Sequence, residues 1–467
     1  MRLALQEITR TTGGRLIGPV KSKKLVFGVS TDTRKLRRGD LFVALRGVHY
    51  DGHDYLRVAI RKGAAALMVQ KRLHLVQGSR CPMIFVADTF KALGDLAAYW
   101  RNRFSIPIIA VTGSNGKTTT KDMIAAILAQ KYRVLKTEGN YNNLIGLPLT
   151  LFRLNERHQC AVLECGMSQK GEMDRLAKIV QPQIGVVTNV GMAHLAGLKS
   201  LRAVAQEKAR LYAHLPVKGR AIVNHRSNYR KFFKKVIPCP TTTFGLATSA
   251  TVRGKQVHYD EDGRSHFVVV TAQRKFSVSL PIPGEGNVEN ALAAIAATRD
   301  FHIPTPLIQK SLREFQPTGH RSRIVALSRG LRLIDDCYNA NPDSMKQAIG
   351  LLRQLGKGQM TVAVLGDMFE LGKWTPSEHR QIGELIARSG ISVLVTIGRW
   401  SKEIYRAAQR KGLSRDCTFH FENITKALKE KKRWLPKRGL ILVKASRGMK
   451  LEILVEALIK NRKRKRS

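Results

Sequence analysis

The sequence predicts an α/β protein built from three domains. A chain of 467 residues corresponds to about two to four domains at typical domain size. Short apolar runs with strand character alternate with helical stretches over most of the chain, a pattern typical of doubly wound parallel sheets. Hydrophobic residues make up 43% and charged residues 25%, as in ordinary globular proteins. We expect domains at residues 1–105, 106–315 and 316–467.

The first two domains are predicted from local patterns. Residues 1–105 form a small α/β unit, with a strand at 41–45 and a helix at 89–101. The central domain should hold a parallel sheet followed by an antiparallel flank at 245–283, which is rich in Thr, Val and Ser. Its predicted strands lie at 108–111, 161–164, 184–188 and 221–224, and its predicted helices include 117–130 and 287–299.

The third domain repeats the alternation of strands and helices. Its predicted strands lie at 331–335, 361–365, 393–397 and 440–444. Helical spacing fills the intervals, which indicates a Rossmann-like α/β domain.

The charge balance indicates an anionic partner without identifying it. Lys and Arg total 81 against 34 acidic residues, a formal net charge of +47. Nucleic acid, nucleotides and multiply anionic small molecules all fit. The basic residues are spread along the chain, except in the tail at 462–466, which we expect to be a solvated end because no aromatic or amphipathic pattern accompanies it. No apolar run approaches the ~18 residues of a membrane span, and residues 1–10 are too polar for a secretory signal, so a cytoplasmic location is expected.

A phosphate-binding loop is the sharpest local motif. It follows the strand at 108–111, precedes a helix, and comprises Gly113, Ser114, Asn115, Gly116, Lys117, Thr118 and Thr119. Backbone N–H groups of such a loop surround a phosphate, the lysine contacts the β and γ phosphates, and the first threonine holds Mg²⁺. Val111 stands where the common pattern has glycine. The alternative is a glycine turn beside a solvated lysine.

The segment TGSNGKTT resembles the loop of the Mur ligases and of their relatives, the folylpolyglutamate synthases. Further segments resemble Mur ligase motifs in the same order along the chain. They are STDTR at 30–34, RGDLFVALRG at 38–47, NYNN at 140–143, ECGM at 164–167, TNVGMAH at 188–194 and EKARLY at 207–212. Three later segments resemble the branch that adds D-alanyl-D-alanine to UDP-N-acetylmuramoyl-tripeptide: DDCYNANPDS at 335–344, GDMFELG at 366–372 and VKASRGM at 443–449.

The resemblance implies an ATP-dependent amide ligase of cell-wall synthesis. It implies an N-terminal UDP-binding domain, a central ATPase domain with a phosphate loop, and a third domain that closes over ATP. Two Mg²⁺ ions are expected. The implied catalytic residues are Lys117, Glu164, His194 and Lys208, and the implied metal ligands are Thr118, Glu164, His194 and Lys208, with Lys208 carbamylated.

The resemblance also assigns binding residues. Besides the loop, ATP should contact Asn287, Asn290, Arg321 and Asp336. The peptide and sugar substrates should contact Ser30, Arg34, Asn140, Asn142, Asn143, Tyr338, Asn339 and Asn341. The family's histidine before Asn287 is replaced by Gly286, and Ala445 replaces a usual glycine.

The residues taken alone leave simpler interpretations open. Lys208 could be a surface lysine, His194 a structural histidine, and Asn287 and Asn290 caps of a helix N-terminus. The segment 339–342 could be only a turn.

Other functions compete with the ligase. A Mur ligase adding one amino acid lacks the later segments, and a folate ligase lacks the segment at 30–34. A basic NTPase acting on nucleic acid is supported only by the charge. We expect a monomer with no specific nucleic-acid partner.

Overall fold

The described chain divides into three consecutive stretches, and no sheet combines strands of two stretches. The structure is a computed structural model that describes residues 1–18, 25–70, 81–328 and 330–463. The predicted α/β fold class is confirmed, because the sheets are largely parallel and helices connect their strands.

The N-terminal stretch forms a small sheet in the order β2-β7-β6-β5-β4, in which only β2 pairs antiparallel among the described strands. Its strands are β1 Leu3–Ala4, β2 Arg15–Ile17, β3 Leu25–Val26, β4 Gly28–Ser30, β5 Asp40–Val43, β6 Ala66–Val69 and β7 Met83–Phe85. Its helices are α1 Leu5–Thr12, α2 Leu56–Arg61 and α3 Thr89–Arg101. Strand β1 pairs separately with β3.

The central stretch forms the largest described sheet, in the order β16-β15-β14-β13-β12-β11-β8-β10-β9. Its strands are β8 Ile108–Thr112, β9 Val134–Lys136, β10 Cys160–Glu164, β11 Ile184–Val187, β12 Arg220–Asn224, β13 Thr241–Gly245, β14 Val252–Tyr259, β15 Ser265–Val270 and β16 Lys275–Leu280. Its helices are α4 Lys117–Leu128, α5 Gly146–Leu151, α6 Glu172–Val180, α7 Leu195–Leu198, α8 Leu201–Ala213, α9 Arg230–Val236, α10 Glu285–Ala297 and α11 Thr305–Arg313. Strands β14, β15 and β16 pair antiparallel, as predicted for the flank.

The third stretch forms a sheet in the order β17-β18-β22-β19-β20-β21, parallel except at β17 within the described residues. Its strands are β17 Arg323–Ser328, β18 Leu331–Asp335, β19 Thr361–Gly366, β20 Val393–Ile397, β21 Thr418–Phe421 and β22 Gly439–Lys444. Its helices are α12 Pro342–Leu355, α13 Thr375–Arg388, α14 Ser401–Arg410, α15 Ile424–Lys429, α16 Lys431–Trp434 and α17 Glu452–Lys463.

Helix α3 joins the first stretch to the second. It packs against α1 of the first stretch and against α5 and α6 of the second. At its end the Trp100 indole donates to the Leu154 carbonyl at 3.2 Å, and Arg101 donates to the carbonyls of Val180 and Gln181. Hydrogen bonds from a buried guanidinium to carbonyls fix orientation as well as contact. The two stretches are therefore held in a defined arrangement.

Within the described ranges, no helix is both long enough and apolar enough to span a bilayer. Helix α17 continues to Lys463. The side chains of the basic tail at 462–466 lie outside the described residues, so the prediction of a solvated end is not addressed there.

Candidate active site

The phosphate loop lies between β8 and α4, where the strand order reverses. Strand β8 is flanked by β10 on one side and β11 on the other, and the loop follows its carboxyl end. Such a switch point is where open α/β sheets bind ligands. Helix α4 begins at Lys117 after Gly116, whose φ is +77°, and no side chain caps it. The first-turn N–H groups are thus available for an anion.

Hydrogen bonds to a neighbouring segment fix the loop's shape. The Ser114 hydroxyl donates to the Gly191 carbonyl at 2.9 Å and accepts from its N–H at 2.8 Å. The Asn115 N–H donates to the side chain of Asn189 at 2.8 Å. The Thr188 hydroxyl donates to the Asn115 carbonyl at 2.5 Å. The loop is therefore preorganised before any nucleotide contacts it.

Lys117 folds back over the loop that carries it. Its Nζ donates to the carbonyls of Gly113 at 2.8 Å and Ser114 at 3.3 Å. Burial lowers the pKa of Lys117, the Glu164 carboxylate opposes that effect, and Arg321 adds to it. A lysine contacting two carbonyls while facing a cleft is positioned to exchange them for phosphate oxygens.

Glu164 presents a buried carboxylate beside the loop. It ends β10, and its backbone is level with Val111 of β8. Its Oε1 accepts from the Asn142 side chain at 2.7 Å, whereas its Oε2 is buried and has no hydrogen-bond partner among the described residues. An orphaned carboxylate oxygen in a cleft is a ligand that a hard cation would satisfy. Thr118, also buried and lining the cleft, adds a second oxygen of the type that Mg²⁺ prefers.

Lys208 is buried rather than exposed, contrary to the surface-lysine alternative. Only 1% of the residue is accessible, and it lies in the middle of α8. In the described part of the chain no residue hydrogen-bonds to its Nζ. Burial, and secondarily the positive charge of Lys117, hold the pKa of Lys208 well below its usual range. Burial therefore favours the neutral amine over the ammonium form at this position.

The third stretch supplies a cationic wall opposite the loop. The Arg321 guanidinium lies 3.8 Å from the centroid of the Tyr338 ring, and that of Arg447 lies 5.4 Å from it. Asp336 fixes this wall, since its carboxylate accepts from Lys444 Nζ at 2.5 Å and from the Ser322 N–H at 2.9 Å. Two guanidinium groups thus face the cleft on an aromatic platform.

The third stretch also touches the loop directly. The side-chain amides of Asn115 and Asn341 form a reciprocal pair, with distances of 2.7 and 3.3 Å. Asn341 also caps α12 by accepting from the Ser344 N–H at 2.9 Å. The Asp343 carboxylate accepts from the Met192 N–H at 2.8 Å. The start of α12 therefore docks on the phosphate loop, and the segment 339–342 is more than a turn.

His194 contacts the third stretch as well. Its Nδ1 lies 2.6 Å from the Glu370 carboxylate, and this hydrogen bond holds the pKa of Glu370 below its ordinary value. His194 has a backbone φ of +59° and Glu370 one of +62°. The histidine is thus not a structural residue inside one core, because its ring forms a hydrogen bond from the central domain to the third domain.

Asn287 and Asn290 do not act as helix caps. The cap position of α10 is Gly284, without a side-chain hydrogen bond. The Asn287 side chain donates to the Pro283 carbonyl at 2.7 Å, and Asn290 accepts from the Thr120 hydroxyl at 3.2 Å. A Cβ at Gly116 would lie 2.2 Å from Asn290 Oδ1, so the loop glycine allows this helix to approach.

One cleft of about 1480 Å³ brings most of these residues together. Of the residues predicted from the sequence, its lining includes Ser114, Asn115, Gly116, Lys117, Thr118, Thr119, Asn140, Asn142, Asn143, Glu164, His194, Asn287, Asn290, Arg321, Asp336, Tyr338, Asn339 and Asn341. Gly113, Lys208, Ser30 and Arg34 are not part of that lining. The Ser30 hydroxyl donates to the Asp32 carbonyl, and exposed Arg34 pairs with the Asp32 carboxylate at 2.8 Å.

Comparison with known proteins decides the family. Three profiles match consecutive parts of the chain: "Mur ligase family, catalytic domain" at residues 26–101, "Mur ligase middle domain" at 111–298, and "Mur ligase, glutamate ligase domain" at 320–447. The UDP-N-acetylmuramoyl-tripeptide--D-alanyl-D-alanine ligase of Bacillus subtilis is 37% identical over 99% of both chains. The chain belongs to the Mur ligase family.

Solved structures agree with this Mur ligase in overall shape. A crystal structure of MurF from Acinetobacter baumannii matches with a TM-score of 0.89 and 29% identity, covering 98% of this chain and 99% of that one. MurF from Thermotoga maritima, in complex with ADP, matches with a TM-score of 0.82 and 25% identity over 94% and 98%. The resemblance found in the sequence is thus confirmed over the full length.

This Mur ligase also carries cleft residues that the sequence did not single out. Glu370, Lys444, Arg447 and Asn189 each contact a predicted residue. Each is brought there by strand order or domain docking. The sequence motif at 366–372 contains Glu370, but the motif does not indicate which of its residues contacts the site.

Proposed function

We propose that this Mur ligase joins D-alanyl-D-alanine to UDP-N-acetylmuramoyl-tripeptide in the cytoplasm, consuming ATP and giving the UDP-muramoyl-pentapeptide, ADP and phosphate. The observation that carries the proposal is a single cleft in which a preorganised phosphate loop, an orphaned carboxylate and two guanidinium groups face one another. The name borne by the Bacillus subtilis relative supplies the substrates.

The chemistry requires activation of a carboxylate. An oxygen of the tripeptide carboxylate attacks the γ phosphorus of ATP, the bond to the bridging oxygen breaks, and ADP leaves. The dipeptide amine then attacks the carbonyl carbon of the acyl phosphate, the bond from that carbon to the phosphate oxygen breaks, and the nitrogen loses a proton as the amide forms. The protein's contribution is positioning and charge stabilisation. Lys117 and the N–H groups at the start of α4 hold the phosphates, while Arg321 faces them from the third domain.

Two Mg²⁺ ions would be held by side chains of the central domain. The orphaned oxygen of Glu164 and the Thr118 hydroxyl fit one site, and His194 with Lys208 would serve the second. When bound, Mg²⁺ neutralises phosphate charge and orients the reacting oxygens.

The environment of Lys208 supports carbamylation. A neutral amine adds to CO₂ and loses a proton, giving a carbamate with two oxygens. Burial lowers the pKa of Lys208 and so favours the reactive neutral form, and a carbamate would supply an oxygen ligand in place of a cation.

The remaining assignments complete the proposal. Adenine would lie near Asn287 and Asn290, with Asp336 holding the third-domain wall. The peptide end would contact Asn140, Asn142, Asn143, Tyr338, Asn339 and Asn341, and the UDP sugar would lie along the N-terminal domain near Ser30 and Arg34. We propose domain limits at 1–105, 106–315 and 316–467, because no described sheet crosses them. A monomer without a specific nucleic-acid partner suffices for this reaction.

ADP release tests the proposal. The purified chain receives ATP and Mg²⁺ with the UDP-muramoyl-tripeptide, the dipeptide, both, or neither, and products are weighed by mass spectrometry. We expect sustained ADP release and a pentapeptide product only with both substrates. If the rate of ADP release does not depend on either substrate but rises with RNA or DNA and falls steeply with salt, the chain is a basic NTPase and not this ligase.

A further inference from the structure

A carboxylate of the third domain reaches the phosphate end of the cleft. Glu370 lies between β19 and the turn Gly372–Trp374, and it lines the cleft together with Lys117 and His194. Its Oε2 lies 2.6 Å from Nδ1 of His194, across the boundary between the central and third domains.

The backbone shows that this contact is built into both segments. His194 and Glu370 both have left-handed φ values, +59° and +62°, a conformation uncommon for residues with a Cβ. Between the same two segments, the Ala196 N–H donates to the Glu370 carbonyl at 2.9 Å. A Cβ at Gly372 would stand 3.3 Å from Ala196 Cα. Side chain and main chain thus hold the two segments face to face.

The segment that carries Glu370 is itself anchored. Buried His379 accepts from the Met368 N–H through Nε2 at 3.0 Å and lies 2.6 Å from the Thr375 carbonyl through Nδ1. The Ser446 hydroxyl accepts from the Phe369 N–H at 2.8 Å. Glu370 is therefore presented from a fixed platform.

The hydrogen bond commits one ring nitrogen of His194. With Nδ1 donating to the carboxylate, Nε2 carries the lone pair, and within the described residues it has no hydrogen-bond partner. Histidines that bind metals commonly donate their other nitrogen to a carboxylate, which fixes the tautomer and the ring plane. Here the carboxylate belongs to another domain, so the orientation of the ring depends on domain docking.

We propose that Glu370 is a positioning residue that orients His194 toward the metal and phosphate site only when the third domain is docked. The inference rests on the proposed function. It links docking of the third domain to the machinery that transfers the phosphoryl group, so that phosphorylation proceeds efficiently only in the docked arrangement.

The experiment combines turnover with direct metal binding. Mn²⁺ is titrated into the full chain with a non-hydrolysable ATP analogue and the tripeptide acceptor, and bound Mn²⁺ is followed by electron paramagnetic resonance. The variants are Glu370→Ala, Glu370→Gln and Asp343→Ala. Asp343 is the matched control, because its carboxylate also crosses to the central domain but accepts from a backbone N–H, that of Met192.

We expect Glu370→Ala to weaken Mn²⁺ binding and to lower kcat by about 10–100-fold, the usual effect of losing such a partner, with KM for ATP nearly unchanged. Glu370→Gln should restore much of both, because its amide oxygen still accepts from Nδ1–H. Asp343→Ala removes one docking contact but keeps the hydrogen bond between Glu370 and His194, so it should lower Mn²⁺ affinity less than Glu370→Ala does. Wild-type Mn²⁺ affinity and kcat in Glu370→Ala would overturn the inference, as would an equal loss of Mn²⁺ affinity in Asp343→Ala. If the wild type shows no dipeptide-dependent turnover, the proposed function fails, while the Mn²⁺ titrations still report on Glu370.

Discussion

Replacing Lys208 with methionine should stabilise the protein in the absence of CO₂. Lys208 is 1% exposed, and no described residue hydrogen-bonds to its Nζ. A buried polar group without a partner costs about 1–3 kcal/mol, and methionine fills a similar volume without that cost. We therefore expect the free energy of unfolding of Lys208→Met to rise by about 1–3 kcal/mol at pH 7.

Lys121→Met is the matched control. Lys121 is 2% exposed, but its Nζ donates to the Thr137 carbonyl at 2.7 Å and pairs with Asp122 at 2.9 Å. Without this lysine the Thr137 carbonyl loses its hydrogen bond from Nζ, whereas Asp122 still pairs with Lys136. This variant should lose about 1–3 kcal/mol. Replacing these two buried lysines of one domain should thus change the free energy of unfolding in opposite directions.

The pH dependence follows from the depressed pKa of Lys208. Between its folded-state pKa and the unfolded value of 10.5, the unfolded chain binds more protons, so the wild type gains stability as pH rises. The advantage of Lys208→Met should shrink from pH 7 toward pH 10. Urea unfolding in CO₂-free buffer at several pH values measures both effects. If Lys208→Met lowers the free energy of unfolding, as Lys121→Met is expected to do, then the buried Lys208 amine is not an unfavourable group without a hydrogen-bond partner.

Three further variants test other parts of the site. Lys117→Ala should lower kcat by at least about 10²-fold, the cost of losing one phosphate-stabilising donor, with an unchanged circular dichroism spectrum; near-normal ADP release would remove Lys117 from the phosphate site. Arg321→Ala should weaken ATP binding by about 10–100-fold, the worth of one charge-assisted hydrogen bond, whereas exposed Arg323→Ala should not; equal affinities by calorimetry would contradict the cationic wall. For buried His379, whose pKa is lowered by burial, the unfolded state takes up more protons than the folded state as the pH falls below 6.5. Stability of the wild type relative to His379→Gln should therefore drop by up to about 1.4 kcal/mol per pH unit toward pH 5, and parallel stability curves would show that His379 is protonated in the folded state.

Much of the fold was predictable because its determinants are local. Strands β18 and β20 and helix α3 begin and end where the sequence pattern places them. Apolar runs bounded by polar or glycine residues suffice for such elements. Helix α10 begins two residues earlier than predicted, because Gly284 rather than Asn287 occupies its cap position.

The individual segments of the site could be recognised in the sequence, whereas most contacts between the segments could not. The phosphate loop is contiguous, and Glu164 ends a strand beside it, so strand order alone brings them together. The pairs Asn115–Asn341 and His194–Glu370 join residues of different domains. No local pattern encodes how two domains meet, which is why the contact of Glu370 emerged only from the structure. Lys444 reaches Asp336 within the third domain, because β22 lies beside β18 in the sheet. Lys208 is similar, since its burial depends on the packing of α8.

The most direct test of the central claim follows an oxygen atom. UDP-muramoyl-tripeptide labelled with oxygen-18 in the terminal carboxylate is incubated with the chain, ATP, Mg²⁺ and D-alanyl-D-alanine, and the released phosphate is weighed. An acyl-phosphate route transfers one labelled oxygen to each phosphate as the amide forms, so label should appear in phosphate in proportion to the pentapeptide. Unlabelled phosphate in normal water, acquiring label only when the solvent carries it, would show that the chain hydrolyses ATP without activating the carboxylate.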